Sequence, residues 1–459
     1  MTTSILWFRR DLRLHDNPAL NWAIDNSEHI VAVYIDDAEP DNAWKAGAAS
    51  KWWLHHSLSS LQSSLQQHGQ TLHLFAGNTL ATLTDIIQQT RAEYLVFNHL
   101  YEPYYRQQAS LLHQKLDQQI EFVGFDSGLF FKPGSVLNNQ QKPYRVYTPF
   151  YKKLRPLLDE YYSHYRINKP SFKSKKNIKL KSSVSLNQLE LIDSISWHSE
   201  FGNIWQPGED AAHHALESFL DEAVYYYQSQ RDIPAVEGTS RLSPALHFGE
   251  ITPQQIFLSL QPLLYSNLNA EQKNAIETYI KQLIWREFAQ HILWHFPHTA
   301  ESPMDTRYEN SFWKKDPYLL KKWQQGKTGM PIVDAGMQQL WKTGWMHNRV
   351  RMISSSFLTK NLGISWLEGA RWFWDTLLDA NLANNSMGWQ WVAGCGVDAA
   401  PYYRIFNPLT QSQRFDSKQH YAKQWLETGD AATEAEPVIS LSDSRKQALD
   451  RYKQYIQNS

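Results

Sequence analysis

Three stretches of this sequence gather groups that can hold a ligand and polarise it. In the first, Tyr227 and Arg231 lead into Gly238-Thr239-Ser240-Arg241-Leu242-Ser243. Hydroxyls, free backbone N–H groups at a helix start and a guanidinium are what a diphosphate needs. The same residues also make an ordinary capped helix start. The second stretch is Lys281-Gln282-Leu283-Ile284-Trp285-Arg286-Glu287-Phe288. Gln282, Trp285 and Arg286 fall within about one helical turn, so an amide, a stacking plate and a cation are presented together. The third runs from Met330 to Pro408. It holds Trp345-Met346-His347-Asn348-Arg349-Val350-Arg351-Met352, then Asp379-Ala380-Asn381-Leu382-Ala383-Asn384-Asn385, then Trp389-Gln390-Trp391. Asn348, Arg351 and Met352 follow i, i+3, i+4 spacing and share one helix face, an odd mixture for a plain core.

Other chemistries find no support. The adjacent pairs His55-His56 and His213-His214 point apart on a helix, which excludes them as metal sites. Cys395 is the one cysteine, so there is no disulfide scaffold and no cysteine zinc cluster. Gly394-Cys395-Gly396-Val397-Asp398-Ala399 fits a loose dinucleotide pattern but follows a helix rather than a strand. No nucleophile–base signature can be assembled. An enzyme built on this chain would therefore draw its chemistry from a cofactor. The 19 tryptophans suit aromatic packing, and equally a protein that stacks on flat ligands or moves electrons.

The elements that must position these residues divide the chain. Apolar runs at residues 4–8, 29–35, 71–75, 94–97 and 120–124 read as buried strands. Amphipathic stretches at 51–68 and 79–91 lie between them, which predicts a doubly wound parallel α/β domain over residues 1–130. Residues 131–204 read as a long linker, crowded with basic side chains from Lys152 to Lys181. Residues 205–459 form an all-α domain, with helical periodicity at 209–229, 253–264, 271–294, 332–342, 349–360 and 367–378. A chain of 459 residues with 42% hydrophobic and 20% charged side chains is globular and exceeds one core. Its net charge of −1 means that any nucleic-acid site must be a local basic patch. No apolar run of 18 residues occurs, and the start lacks a signal peptide's apolar core, so a cytoplasmic location is expected.

Five motifs together resemble the photolyase/cryptochrome family of flavoproteins. They are Trp7-Phe8-Arg9-Arg10-Asp11-Leu12-Arg13, the Glu237 to Ser243 turn, Leu283-Ile284-Trp285-Arg286-Glu287-Phe288, Gly344-Trp345-Met346-His347-Asn348-Arg349, and the run from Asp398 to Pro408. They cover nearly the whole chain in the family's order, and look most like bacterial cyclobutane pyrimidine dimer photolyases of class I. The resemblance implies an α/β antenna domain and a helical domain holding FAD beneath a cavity for a flipped DNA lesion.

Carried over by position, Tyr227, Thr239, Ser240, Arg241, Leu242, Ser243 and Arg286 line the phosphate and ribitol side of FAD. Asp379 sits near the flavin ring, paired with Arg351 and close to Asn381. Asn385 faces flavin N5, where an amide favours the repair enzymes over plant cryptochromes. Trp389, Trp366 and Trp313 match the family's electron-transfer chain. Trp285 and Trp391 match the plates around the flipped pyrimidines, and Arg231, Arg349 and Arg404 match DNA-facing positions. Asn348 and Met352 stand where (6-4) photolyases place two histidines, which makes a cyclobutane dimer the expected substrate.

The chain also departs from the pattern. Gln282 stands where bacterial dimer photolyases usually show Glu and (6-4) enzymes show Gln, and Asn381 replaces the second acid of an Asp-x-Asp. Tyr104-Tyr105 and Thr299-Ala300 replace the pairs of folate-binding relatives, leaving the antenna open among folate, deazaflavin, flavin or none. The expected protein is a monomeric, light-driven, FAD-dependent repair enzyme acting on UV-damaged DNA. A cryptochrome-like photoreceptor, a (6-4) photolyase and a damaged-DNA binding module are its rivals; the absence of a signalling tail counts against the first.

Overall fold

The computed structural model describes residues 2–37, 43–172, 178, 180–192, 196–400, 402–426 and 436–457. Strands β1 (Thr3–Phe8), β2 (His29–Asp37), β3 (Leu72–Gly77), β4 (Tyr94–Asn98) and β5 (Glu121–Phe125) form one parallel sheet in the order β3-β2-β1-β4-β5. All five expected strands are present. Every residue of the central β1 is buried. Leu6 and Phe8 pack toward helices Pro18–Asn26 and Ala48–Gln67, while Ile5 and Trp7 pack toward Thr79–Thr90 and Pro103–Leu116. Covering both faces is what turns the usual alternation into an unbroken apolar run.

The winding reverses between β3 and β4, so β1 and β4 flank a switch point. The chain leaves β1 there as residues 9–15, and their polar groups clasp the helical half. Arg13 is 1% exposed and donates to the Gly249 carbonyl at 2.9 Å. Leu12 N–H meets the Phe248 carbonyl at 3.1 Å, and the N–H groups of Leu14 and His15 meet the Glu209 carboxylate at 2.7 and 2.8 Å. Trp53, Phe201, Trp205, Phe248 and Trp345 complete an apolar core common to both halves.

The segment expected as linker contains a helix, Tyr147–Tyr162, whose Tyr147, Phe150, Leu154, Leu158 and Tyr162 are buried. Its i, i+4 apolar stripe begins before the basic run and is masked by it. Arg155 is paired with Glu277 at 2.9 Å and Asp159 at 2.7 Å, so it is a structural cation rather than a solvated one. Lys173, Lys175, Lys176 and Lys179 lie outside the described residues.

The helical half follows its periodicity, with informative breaks. The 209–229 stretch divides at Glu222 (φ −142°, ψ −59°) into Glu209–Asp221, a 3-10 turn Ala223–Tyr226 and the single turn Tyr227–Gln230. Helix Ala270–His295 is capped by Asn269, whose side chain accepts from Gln272 N–H while Gln272 reaches back, a capping box. Helix Asn348–Ser356 runs into a π-helical turn, Phe357–Leu362. Helices Pro317–Gln324, Pro408–Phe415 and His420–Trp425 were not expected; each spans at most eight residues, too few for a periodic signal.

Candidate active site

A cavity of about 510 Å³ opens among the Thr239–Ser243 turn and helices Ala270–His295, Asn348–Ser356 and Leu382–Ala393. That volume is in the usual range for ligand sites. Of the residues singled out from sequence, Tyr227, Arg231, Thr239, Ser240, Arg241, Leu242, Ser243, Gln282, Trp285, Arg286, Asn348, Arg351, Met352, Asp379, Asn381, Asn385, Trp389 and Trp391 all line it. Trp313, Trp366, Arg349 and Arg404 do not.

The turn is shaped by Arg241 in the left-handed region, φ +52°, with its guanidinium 5.5 Å above the Trp345 ring. Ser243 Oγ donates to Asp379 at 2.6 Å. Arg351 grips the same carboxylate with both terminal nitrogens, at 3.0 and 2.9 Å. This joins the turn, helix Asn348–Ser356 and the entry to helix Leu382–Ala393 through one carboxylate. Asn381 caps that last helix, its side chain accepting from Asn384 N–H at 3.1 Å. Asparagine does this as well as aspartate, so the departure at 381 costs the local fold nothing. Asn385 donates one N–H to the Ala370 carbonyl at 2.9 Å, which leaves its carbonyl oxygen for a ligand.

The other wall is aromatic. Trp285 lies face to face with Tyr147, centroids 3.6 Å apart and planes 5° apart. Trp391 donates its indole N–H to the Asp398 carbonyl at 3.0 Å. Gln282 turns its amide back to the Thr278 carbonyl at 3.1 Å. Arg286 differs from expectation. It donates to the carbonyls of Gly128 at 2.6 Å and Leu246 at 3.3 Å, and burial lowers its pKa; two of its five N–H donors thus brace backbone and three are left for a ligand. Sequence reasoning missed Tyr279, whose hydroxyl donates to Ser240 at 2.8 Å and which precedes Gln282 by one turn on the same face. It also assigned no role to the lining residues Trp345 and Asn384, although both stand inside the motifs.

Residues 4–168 match the family model described as DNA photolyase, and residues 279–456 match the one described as FAD binding domain of DNA photolyase. A deoxyribodipyrimidine photo-lyase of Agrobacterium fabrum is 40% identical over 423 residues, 92% of this chain and 86% of that protein. The chain belongs to the photolyase/cryptochrome family. A crystal structure of a bacterial class III photolyase from Agrobacterium tumefaciens superposes with a TM-score of 0.92 at 37% identity, covering 100% of this chain and 98% of that one. It carries a different class label from the class I pattern that the motifs resemble. Cryptochrome-1 of Arabidopsis thaliana is also similar, 32% identical over 92% of this chain and 62% of its own.

The helical half is thus the FAD-binding domain of a photolyase/cryptochrome protein. The residues present suit that cofactor: hydroxyls and Arg241 for the diphosphate, amides for the ring edge, and Trp345, Phe373 and Trp389 for flat apolar contact. Trp389 fits because Gly369 lacks a side chain; a Cβ there would sit 2.1 Å from the indole. Its ring neighbours are Phe373 at 4.9 Å and Trp323 at 6.0 Å. Trp366 is 2% exposed, and Trp313 is anchored by its indole N–H on the Tyr308 carbonyl at 2.9 Å. Arg231 and Arg349 share Asp232, at 3.8 and 2.7 Å, and Arg404 lies 5.8 Å from the Trp391 ring.

At the antenna positions the substituted side chains have structural partners. Tyr104 donates to Asp37 at 2.6 Å, and Arg10 reaches the Tyr105 hydroxyl at 3.2 Å. Among the described residues no cluster could hold a metal ion, and no helix is long and apolar enough to cross a membrane.

Behind Trp391, Lys360 is 1% exposed on the π-helical turn. Its ammonium bonds the Ala393 carbonyl at 2.5 Å and lies 3.5 Å from the Tyr403 ring. Burial without a carboxylate partner pulls its pKa down to about 7. Above that value the unfolded chain binds the extra proton, so this group makes stability rise with pH from about 7 toward the unfolded pKa of about 10.4. The limiting slope is about 1.4 kcal/mol per pH unit. Cys395 beside Lys360, pushed up to about 12 by burial, acts in the opposite sense above its unfolded pKa of about 8.5. The comparison is therefore with Lys360→Met: the native melting temperature should gain on the variant's as pH rises from 7 to 9.5, and parallel curves would contradict it.

Proposed function

We propose that this protein is a light-driven deoxyribodipyrimidine photo-lyase that splits cyclobutane pyrimidine dimers in DNA. The observation that carries the reading is the presence of Asn348 and Met352 side by side on the cavity wall, 4.0 Å between Asn348 Nδ2 and Met352 Sδ. The acid–base histidines of the (6-4) enzymes have no counterpart there. Reduced FAD held in this cavity would supply the photochemistry, a one-electron donor for the dimer under blue light with no net redox change.

The protein's own groups bind and orient. Arg231, Arg349 and Arg404 take phosphates, which a chain of neutral net charge can do with a few local cations. The damaged pair leaves the helix cheaply because its stacking and pairing are already weakened, and it enters between Trp285 and Trp391. Gln282, Asn348 and Met352 then surround the charge that develops on it. Asn385 would hold the flavin edge, and Trp389, Trp366 and Trp313 would relay electrons from an external one-electron reductant at the surface to the oxidised cofactor. A second chromophore would feed light to the same site.

The test is repair of a thymine-dimer oligonucleotide by the reduced protein, with and without blue light, read by chromatography. Thymines restored only in the light are expected. No repair by a yellow protein that still photoreduces would favour a photoreceptor, which Gln282 and Asn381 leave open, or a (6-4) lesion, whose enzymes share the Gln at 282. Because an amide cannot share a proton with the dimer as a carboxyl can, Gln282→Glu should raise the quantum yield; an unchanged or lower yield would refute that role.

A further inference from the structure

We infer that Asp398 is a positioning residue that ties the two aromatic walls together through Tyr147, so that the slot for the flipped lesion stands open and ordered before DNA arrives. This deepens the repair reading and rests on it.

Trp285 and Trp391 stand on different helices, Ala270–His295 and Leu382–Ala393. The two helices pack against each other, which sets their spacing; the orientation of each ring is set by its own side-chain partners. The rear face of Trp285 is covered by Tyr147, stacked at 3.6 Å. Tyr147 is the first residue of helix Tyr147–Tyr162, and Val146 before it offers no capping side chain. Its N–H is therefore one of the orphan donors of a helix start. Asp398 Oδ1 accepts it at 3.2 Å, a carboxylate placed where the helix dipole favours one. The Tyr147 hydroxyl donates to the Lys281 carbonyl at 2.8 Å, on the helix that carries Trp285 and one turn before it. Tyr147 is thus held at its backbone, its ring and its hydroxyl.

The same Asp398 accepts the Trp391 indole N–H on its backbone carbonyl at 3.0 Å. The circuit from Trp391 through Asp398 and Tyr147 to Trp285 closes without a gap. Asp398 itself sits at φ +53°, a conformation that Asp, Asn and Gly accept more readily than other residues. That geometry turns the carbonyl and the carboxylate of one residue toward two different walls. Pre-ordered walls spare the binding step the entropy of fixing two large rings.

The experiment uses the flavin-loaded full chain in the dark. Affinity is measured for an oligonucleotide with one thymine dimer and for the same oligonucleotide undamaged. Asp398→Gly keeps the positive φ and the carbonyl and removes only the carboxylate. Its affinity for the dimer should fall about tenfold, the lower part of what one stacking wall contributes, while undamaged DNA changes by less than about twofold. Flavin content, absorption spectrum and repair yield per bound dimer should stay native, so that the effect is in binding rather than in the light step. Asp398→Asn, which restores an oxygen acceptor, should recover the affinity. Tyr147→Leu should reproduce the Gly effect, and the double variant should be no worse than either alone.

Native discrimination by Asp398→Gly would overturn the inference. So would failure of Asp398→Asn to rescue, or a parallel loss of flavin and of binding to both DNAs, which would mark a merely structural residue. A native protein that does not prefer the dimer would instead overturn the repair reading, and this inference with it.

Discussion

Arg351→Ala is expected to yield a protein that retains at most about a tenth of the native flavin and melts several degrees lower. The Asp379 side chain is 6% exposed, and both of its oxygens are held by Arg351 at 3.0 and 2.9 Å. Removing the cation alone leaves a buried carboxylate with only the Ser243 hydroxyl as partner. Leaving the carboxylate of this part-buried pair without its charged hydrogen-bond partner costs about 1–3 kcal/mol. The loss falls on the cavity wall, because this carboxylate joins the Thr239–Ser243 turn to the helix that carries Asn385 and Trp389. Asp379→Asn, which keeps an acceptor for Ser243 and leaves no uncompensated anion, should be milder. The ratio of flavin to protein absorbance after purification, with melting curves alongside, decides it. Native flavin content in Arg351→Ala would show that the pair lies outside the flavin's support.

The second large effect is expected from Trp285→Ala, which should weaken dark binding of a thymine-dimer oligonucleotide by about 5- to 150-fold. This follows from the roughly 1–3 kcal/mol that stacking on an aromatic plate contributes per base. Tyr147 cannot take over, since it lies behind the lost ring and is fixed there by its hydroxyl. The dependence of log affinity on log salt should keep its native slope, because Arg231, Arg349 and Arg404, the arginines proposed to take phosphates, are untouched. Titrations at two salt concentrations, on damaged and undamaged DNA, measure both quantities. An equal loss on undamaged DNA would contradict the assigned role.

Much of this architecture was legible in the sequence because it depends on local rules. The five strands announce themselves as unbroken apolar runs, and 18 of the residues chosen by motif converge on one cavity. What escaped is non-local. Helix Tyr147–Tyr162 hid behind lysines and arginines whose partners, such as Glu277, stand far away in the chain. Tyr147 itself carries no motif, and its importance lies in a contact with Trp285 that no spacing rule connects. Arg286 read as a phosphate clamp because its type allows it; only the fold reveals that two of its donors also brace Gly128 and Leu246. Asp398 stood in plain view inside a motif, but the bond to Tyr147 N–H needs two segments to meet.

The clasp at the end of β1 bears on how such a chain can be taken apart. Arg13, Leu14 and His15 spend their polar groups on Gly249 and Glu209, and Trp53 and Phe248 share one apolar core with Trp205 and Trp345. The sheet domain is therefore not a detachable module. A chimera that exchanges it for a homologue's antenna must carry the opposing surface of the helical half as well, or it will bring two mismatched faces together and leave Glu209 without its donors. Recombination among relatives would be filtered by this seam, so that the sheet and flavin-binding halves are inherited as a pair.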